Sequence, residues 1–148
     1  MRMKFLFVCT GNTCRSPMAE ALFRYLAAVA GVEAECASAG LSAMDGLTMS
    51  VGAADALTRL GLDGENHVSR SLTAAMLEEA DEILVMEDWH RQAVLQKFPR
   101  YADKVRLLKE RAGGKGDIPD PFGGSPEEYD ACADQLRRCL ESILEDLE

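Results

Sequence analysis

A cysteine and an arginine lie six residues apart near the start of this 148-residue sequence. The apolar run over residues 4–8, KFLFV, ends at Cys9, and CTGNTCRS leads from it to Arg15 and a predicted helix start at Ser16 and Pro17. A strand, a glycine-containing turn and a helix N-terminus place successive backbone N–H groups around a concavity that attracts an anion. Arg15 adds a planar fork that suits two phosphate oxygens, and its charge is expected to lower the pKa of the Cys9 thiol. This pattern indicates phosphoryl transfer through a phosphocysteine.

The stretch Cys9 to Ser16 fits the pattern C-x5-R-S, and Asp120-Pro121 follows far downstream. With the segments Ser38–Gly40 and His67–Arg70 and the closing helix, the whole chain resembles the low-molecular-weight protein tyrosine phosphatase family. Within it, VCTGNTCRSPMAE and the block Asp120 to Ser125 are most similar to the bacterial protein arginine phosphatases. The resemblance implies a protein phosphatase that needs no metal or other cofactor.

The resemblance also implies roles for individual residues. Cys9 is the nucleophile, and Arg15 with the loop amides holds the phosphoryl oxygens. Ser16 donates a hydrogen bond to the Cys9 thiolate, and Asn12 braces the strained loop. Asp120 protonates the leaving group and then takes a proton from the attacking water. The predicted substrate-binding residues are Thr10, Gly11, Asn12, Thr13, Cys14, Arg15, Ser16 and Phe122.

The resemblance implies that the choice of substrate depends on Thr13. Tyrosine-specific relatives commonly carry a bulky aliphatic residue at this position, whereas threonine is smaller and polar. Asp120 is expected to pair with the guanidinium of phosphoarginine, and Phe122 to form an apolar wall, with Leu41 and Met44 opposite. The predicted substrates are therefore proteins carrying phosphoarginine, with phosphotyrosine as the alternative. Arsenate reduction and a non-catalytic phosphate-binding module rank lower.

Cys14 has two interpretations. A small side chain packed under the loop explains it about as well as a redox partner that forms a reversible disulfide with Cys9 and protects the nucleophile. His67 and Arg70 are expected to support the loops, and no function is assigned to Trp89 or His90.

Hydrophobic periodicity predicts the elements that position these residues. Strands are predicted at 4–8, 32–39, 82–86 and 104–108; helices at 17–30, 50–60, 73–80, 88–98 and from Ser125 to the end; and a structureless stretch at 109–124. This alternation predicts an α/β fold in one domain, residues 1–148, with three α/β/α layers, a four-stranded parallel sheet and an N-terminal phosphate-binding loop. Ligands bind at the carboxyl ends of parallel strands, so Cys9 and Asp120 are expected to meet there.

Composition restricts the partners. The formal net charge is −9, which argues against nucleic acid or an anionic membrane surface as a partner. No apolar run approaches the roughly 20 residues that span a bilayer. Five cysteines and no secretory signal favour a cytoplasmic location, and two isolated histidines offer no metal-ligand spacing. A monomer is expected.

Overall fold

Four parallel strands form the centre of the computed structural model, which describes residues 2–64 and 66–148. The strands are β1 (Met3–Cys9), β2 (Ala34–Gly40), β3 (Glu82–Val85) and β4 (Val105–Leu107), in the spatial order β2-β1-β3-β4. β1 pairs with β2 on one side and with β3 on the other, so Cys9 ends a central strand, opposite Gly40. The predicted parallel sheet and all four of its strands are confirmed.

The helices are α1 (Arg15–Ala30), α2 (Val51–Arg59), α3 (Ala74–Glu79), α4 (Asp88–Lys97), α5 (Leu108–Arg111) and α6 (Pro126–Leu147). Two short elements were not predicted. A 3₁₀ segment covers Pro99–Lys104, and α5 occupies the beginning of the stretch that was predicted to be structureless. Leu108 is fully buried in α5, and this packing stabilises a helix too short to form by itself.

Alternate residues of β1 face two separate cores. Phe5 and Phe7 pack with α1, α2 and α6, whereas Leu6 and Val8 pack with α3 and α4 on the other side of the sheet. Successive side chains of a strand point to opposite faces, so a continuous apolar run fits a strand that is covered on both sides. The three-layer α/β/α prediction is confirmed.

Helical periodicity over residues 17–30 predicts an apolar stripe of Met18, Leu22, Tyr25, Leu26 and Val29, and the buried face of α1 differs from it. Met18 and Leu22 are buried as expected, but Tyr25 and Val29 are exposed. Phe23 occupies the core in their place and packs against the rings of Phe5 and Phe7. Apolar residues on two neighbouring rows of a helix leave the choice of the buried row to tertiary packing.

The sequence predicts Ser16 as the N-cap of α1, Asp88 as the N-cap of α4, and a capping box of Ser125 and Glu128 at the start of α6; the first two predictions are wrong. α1 begins at Arg15, and Ser16 is a helical residue whose hydroxyl contacts other side chains. α4 is capped by Glu87 rather than Asp88, in a capping box in which His90 accepts from the N–H of Glu87. The cap of α6 is as predicted, with Ser125 and Glu128 bonded reciprocally.

Candidate active site

The loop between β1 and α1 is held from outside by its carbonyl groups. Three of these accept hydrogen bonds from backbone N–H groups of neighbouring segments: Cys9 O from Leu41 at 3.0 Å, Thr10 O from Ser42 at 2.9 Å, and Thr13 O from Ser50 at 2.9 Å. A fourth, Asn12 O, lies 2.7 Å from His67 Nε2. In a planar trans peptide the N–H points opposite to the C=O. The N–H groups that follow these carbonyls therefore face inward and form a concavity for an anion.

Asn12 braces this loop in a strained conformation. Its φ of 57° lies in the left-handed region, where it is the one non-glycine residue of the described part of the chain. Its side chain is fully buried: Nδ2 donates to Ser16 Oγ at 2.8 Å and Ser38 Oγ at 2.9 Å, and Oδ1 accepts from Arg70 N–H at 3.0 Å. With His67 on its carbonyl, these contacts bear out the bracing expected of Asn12 and the supporting roles expected of His67 and Arg70.

Gly40 allows β2 to approach the loop closely. A Cβ atom at this position would lie 2.6 Å from Thr10 O and 3.0 Å from Asn12 N. Any side chain at Gly40 would push the loop out of place, so the absence of one is part of the geometry of the site.

Cys9 lies at the base of the concavity and is 3% exposed. Ser16 Oγ lies 2.9 Å from its Sγ, and because this oxygen accepts from Asn12, its own proton is available to the sulfur. Burial raises the pKa of the thiol, while the Ser16 hydroxyl, the N–H groups of Ser16 and Asn12, and the Arg15 charge act to lower it. The expectation of a lowered pKa is therefore not met, because desolvation outweighs the groups that stabilise the thiolate.

Arg15 is buried and its guanidinium is held by three groups. Nη1 donates to Glu87 Oε2 at 2.6 Å and to Ile118 O at 2.7 Å, and Nη2 lies 3.6 Å from Asp120 Oδ2. A buried charge needs such partners, and together they fix the plane of the guanidinium. Sequence reasoning missed Glu87. Its position just beyond β3, at the edge of the sheet where Cys9 lies, was the available signal.

A cleft of about 210 Å³ opens above the loop. It is lined by Cys9, Thr10, Gly11, Thr13, Cys14, Arg15, Asp120 and Phe122. Asn12 and Ser16 lie behind the loop, fully buried. Phe122 is 73% exposed at the rim. Leu41 and Met44, which were predicted to form the wall opposite Phe122, are not among the described residues that line the cleft. Leu41 packs in the core next to α3 and α4, and Met44 is exposed to solvent.

His90 is the second residue that the sequence did not reveal as part of the site. It is fully buried, its Nε2 lies 2.9 Å from Thr10 Oγ1, and Trp89 packs against its ring. Burial and, to a smaller extent, the charge of Arg15 lower its pKa to about 4, so it is neutral near pH 7. The assignment of no function to His90 overlooked its contact with a loop residue 80 positions away.

Cys14 packs beneath the loop. Its Sγ lies 3.1 Å from Ser50 Oγ and 3.7 Å from Tyr129 OH, and both Cys9 and Cys14 are free thiols. These contacts account for a small buried side chain here. The proposed reversible disulfide with Cys9 stays a prediction.

In the described ranges no cluster of three or more His, Cys, Asp or Glu residues could hold a metal ion. Nor does any helix within residues 2–64 and 66–148 have the length and apolar character needed to cross a bilayer.

A loop with inward-facing backbone N–H groups and a buried cysteine at its base, placed after the first strand of a parallel sheet, fits the cysteine-dependent phosphatases. Residues 4–148 match the family described as low molecular weight phosphotyrosine protein phosphatase, and the chain belongs to this family.

Individual relatives carry more specific names. The protein-arginine-phosphatase of Bacillus subtilis (strain 168) is 43% identical over 146 residues, covering 98% of this chain and 97% of the relative. The low molecular weight protein-tyrosine-phosphatase PtpB of Staphylococcus haemolyticus (strain JCSC1435) is 38% identical over 136 residues, 90% and 92% of the two chains. Among solved structures, a cysteine-to-serine mutant of the YwlE arginine phosphatase with a phosphorylated active-site serine has a TM-score of 0.95 at 42% identity, covering 98% of this chain and 95% of that one.

Proposed function

We propose that this protein is a phosphatase that hydrolyses phosphoarginine in proteins through a phosphocysteine intermediate. The observation that carries the proposal is the meeting of Cys9, Arg15 and Asp120 in one cleft, around a loop whose amides face inward. The 43% identity with a protein-arginine-phosphatase supports the choice of substrate.

The chemistry takes two steps. The Cys9 thiolate attacks phosphorus, the bond from phosphorus to the guanidine nitrogen breaks, and Asp120 gives its proton to that nitrogen. Water then attacks the phosphocysteine, Asp120 takes a proton from it, and the sulfur–phosphorus bond breaks to release inorganic phosphate and the thiolate. Arg15 and the loop amides stabilise the charge on the three peripheral oxygens in both steps.

The polar groups at the cleft suit a guanidinium better than a phenyl ring. Asp120 is partly exposed beside the loop, and one of its carboxyl oxygens can accept an N–H group of the guanidinium while the other carries the proton for the leaving nitrogen. Over the described residues, the Thr13 hydroxyl has one contact, a distant one of 3.9 Å to Cys14 Sγ, and is therefore available to a substrate. Phe122 offers an apolar surface for the aliphatic part of the arginine side chain.

The second candidate substrate is phosphotyrosine. It is favoured by the family description and by relatives such as the PtpB tyrosine phosphatase, and an exposed Phe122 can also pack on a phenyl ring.

The experiment that tests the substrate compares kcat/KM for phosphoarginine and phosphotyrosine peptides in wild type and Thr13→Ile. We expect wild type to favour phosphoarginine and the isoleucine variant to shift toward phosphotyrosine. A wild-type preference for phosphotyrosine would overturn the substrate and leave the mechanism standing. Steady-state phosphate release from p-nitrophenyl phosphate, abolished by Cys9→Ser, separates an enzyme from a phosphate-binding module.

We also propose a monomer that acts on phosphorylated proteins in the cytoplasm. Five free cysteines among the described residues fit a reducing compartment. Light scattering on the purified protein tests the monomer, and fractionation of the cells that produce it tests the location.

A further inference from the structure

Thr10, which is half-buried, and His90, which is fully buried, form a pair at the cleft that the two-step chemistry above does not use. Thr10 lines the cleft, and His90 lies behind it, fully shielded from solvent. The 2.9 Å contact between Thr10 Oγ1 and His90 Nε2 joins them.

The other nitrogen of His90 determines which atom of this pair is the donor. Nδ1 lies 3.0 Å from the backbone nitrogen of Glu87, and a backbone N–H can only donate, so Nδ1 is unprotonated and accepts. In a neutral imidazole the proton must then be on Nε2. His90 therefore donates to Thr10 Oγ1, and the threonine oxygen accepts. The low pKa of His90 agrees with a neutral ring.

A hydroxyl group has one proton, and a hydroxyl oxygen that accepts from His90 must direct its proton elsewhere. Across the part of the chain that the structure describes, His90 is the one polar partner of the Thr10 hydroxyl. Since Thr10 also lines the cleft, the free proton is directed to whatever the cleft holds.

We propose that His90 is a positioning residue that orients the Thr10 hydroxyl as an additional hydrogen-bond donor to a phosphoryl oxygen bound in the loop. The inference rests on the proposed function, because the phosphoryl group is the ligand of that site. It adds a neutral side-chain donor, fixed by a buried histidine, to the backbone amides and to Arg15.

Two substitutions of His90 separate this role from a structural one. In His90→Asn, the side-chain oxygen takes the place of Nδ1 and preserves the acceptor for Glu87 N–H, but the donor to Thr10 is lost. In His90→Gln, the amide nitrogen takes the place of Nε2 and preserves the donor, but the acceptor that caps α4 is lost. Thr10→Val removes the hydroxyl at nearly constant shape.

The measurement is the Kd of inorganic phosphate by isothermal titration calorimetry, together with kcat/KM for p-nitrophenyl phosphate and Tm. We expect Thr10→Val and His90→Asn each to weaken phosphate binding by about tenfold, the size of one hydrogen bond to a charged group. His90→Gln is expected to bind phosphate within about twofold of wild type and to lower Tm instead. In the Thr10→Val background, His90→Asn is expected to cause no further loss, because the two residues act through one hydroxyl.

Any of three results would overturn the inference: additive losses of phosphate affinity in the double variant, a Thr10→Val protein that binds phosphate like wild type, or weaker phosphate binding in His90→Gln than in His90→Asn. Because phosphate binding is measured without turnover, failure of this inference can be told apart from failure of the phosphatase proposal. A wild type that binds phosphate but releases none from p-nitrophenyl phosphate would contradict the proposed function alone.

Discussion

Replacing Ser16 with alanine tests how the buried thiol of Cys9 is activated as the nucleophile of the proposed mechanism. The Ser16 hydroxyl accepts from Asn12 Nδ2 at 2.8 Å and lies 2.9 Å from Cys9 Sγ, so its proton is directed at the sulfur. Burial raises the pKa of this thiol, and the Ser16 hydroxyl is the largest of the groups that oppose the increase. Removing it is expected to raise the pKa further and to lower the thiolate fraction at neutral pH.

The magnitude follows from the strength of a hydrogen bond to a charged group, about 1.5–3 kcal/mol, which corresponds to roughly a 10- to 100-fold loss of thiolate below the pKa. A thiolate of higher pKa is intrinsically more nucleophilic, and this recovers about half of the effect on a logarithmic scale. The rate of inactivation by iodoacetamide at pH 6 is therefore expected to fall about three- to tenfold, and the midpoint of its pH profile to move upward. Activity loss identifies the alkylated residue as Cys9.

Ser38→Ala is the matched control. It removes the other hydroxyl that accepts from Asn12 Nδ2, at 2.9 Å, but leaves the contact between Ser16 and Cys9 intact. If Ser16 acts directly on the sulfur, the Ser38 variant should show the smaller change in the pH profile. Equal changes in the two variants would refute the direct role and leave only bracing of the loop through Asn12.

Four further substitutions have distinct expected outcomes. Asp120→Asn should reduce kcat/KM for a phosphoarginine peptide by about 10²–10⁴-fold and for p-nitrophenyl phosphate by less, since nitrophenolate leaves without a proton; equal losses would exclude a proton-donor role. Gly40→Ala should lower the free energy of unfolding, measured in urea, by about 1–3 kcal/mol and should reduce phosphate affinity, because the added Cβ would lie 2.6 Å from Thr10 O. Gly114→Ala is the control and should do neither, because the atom nearest to its added Cβ is 3.5 Å away. His90 is neutral in the fold down to about pH 4, whereas in the unfolded chain it becomes protonated below about pH 6.5. The free energy of unfolding should therefore fall by up to about 3 kcal/mol between pH 6.5 and pH 4, and this loss should be absent in His90→Asn. Equal acid sensitivity of the two proteins in urea titrations would contradict this. If a reversible disulfide protects Cys9, mild peroxide followed by thiol should restore activity in wild type but not in Cys14→Ser, and a variant equally resistant to irreversible loss would leave Cys14 a packing residue.

β1 and β3 were predictable because each is an apolar run that is buried on both faces of the sheet. The edge strands β2 and β4 contain the exposed residues Glu35 and Arg106, and their place between predicted helices identified them instead. The same periodicity could not choose between two adjacent apolar rows of α1, where the aromatic rings of Phe5 and Phe7 draw Phe23 inward and leave Tyr25 and Val29 exposed. α5 escaped detection because its four residues have no period of their own, and tertiary contacts hold it in place: the burial of Leu108 and the ion pair between Arg111 and Glu82.

Within the site, residues that belong to a recognisable motif were predictable, and residues outside such a motif were not. Cys9, Arg15 and Ser16 lie on one short segment whose pattern indicates its chemistry, and Asp120 follows from its likeness to a known motif. Glu87 and His90 carry no comparable pattern, and they reach Arg15 and Thr10 only because β3 lies beside β1 in the sheet. The pKa of Cys9 was misjudged because desolvation depends on burial, which the sequence does not specify.

The bracing of Asn12 has a consequence for how the site forms during folding. Its partners Ser38, His67 and Arg70 lie 26, 55 and 58 residues away, so the local segment alone cannot hold its left-handed backbone conformation. The reactive loop is thus a product of the whole fold, and a nascent or partly unfolded chain carries Cys9 as an ordinary thiol. The rate at which a thiol reagent modifies Cys9 should therefore change with the same denaturant midpoint as global unfolding. Cys9 would then serve as an internal probe of whether the chain has folded.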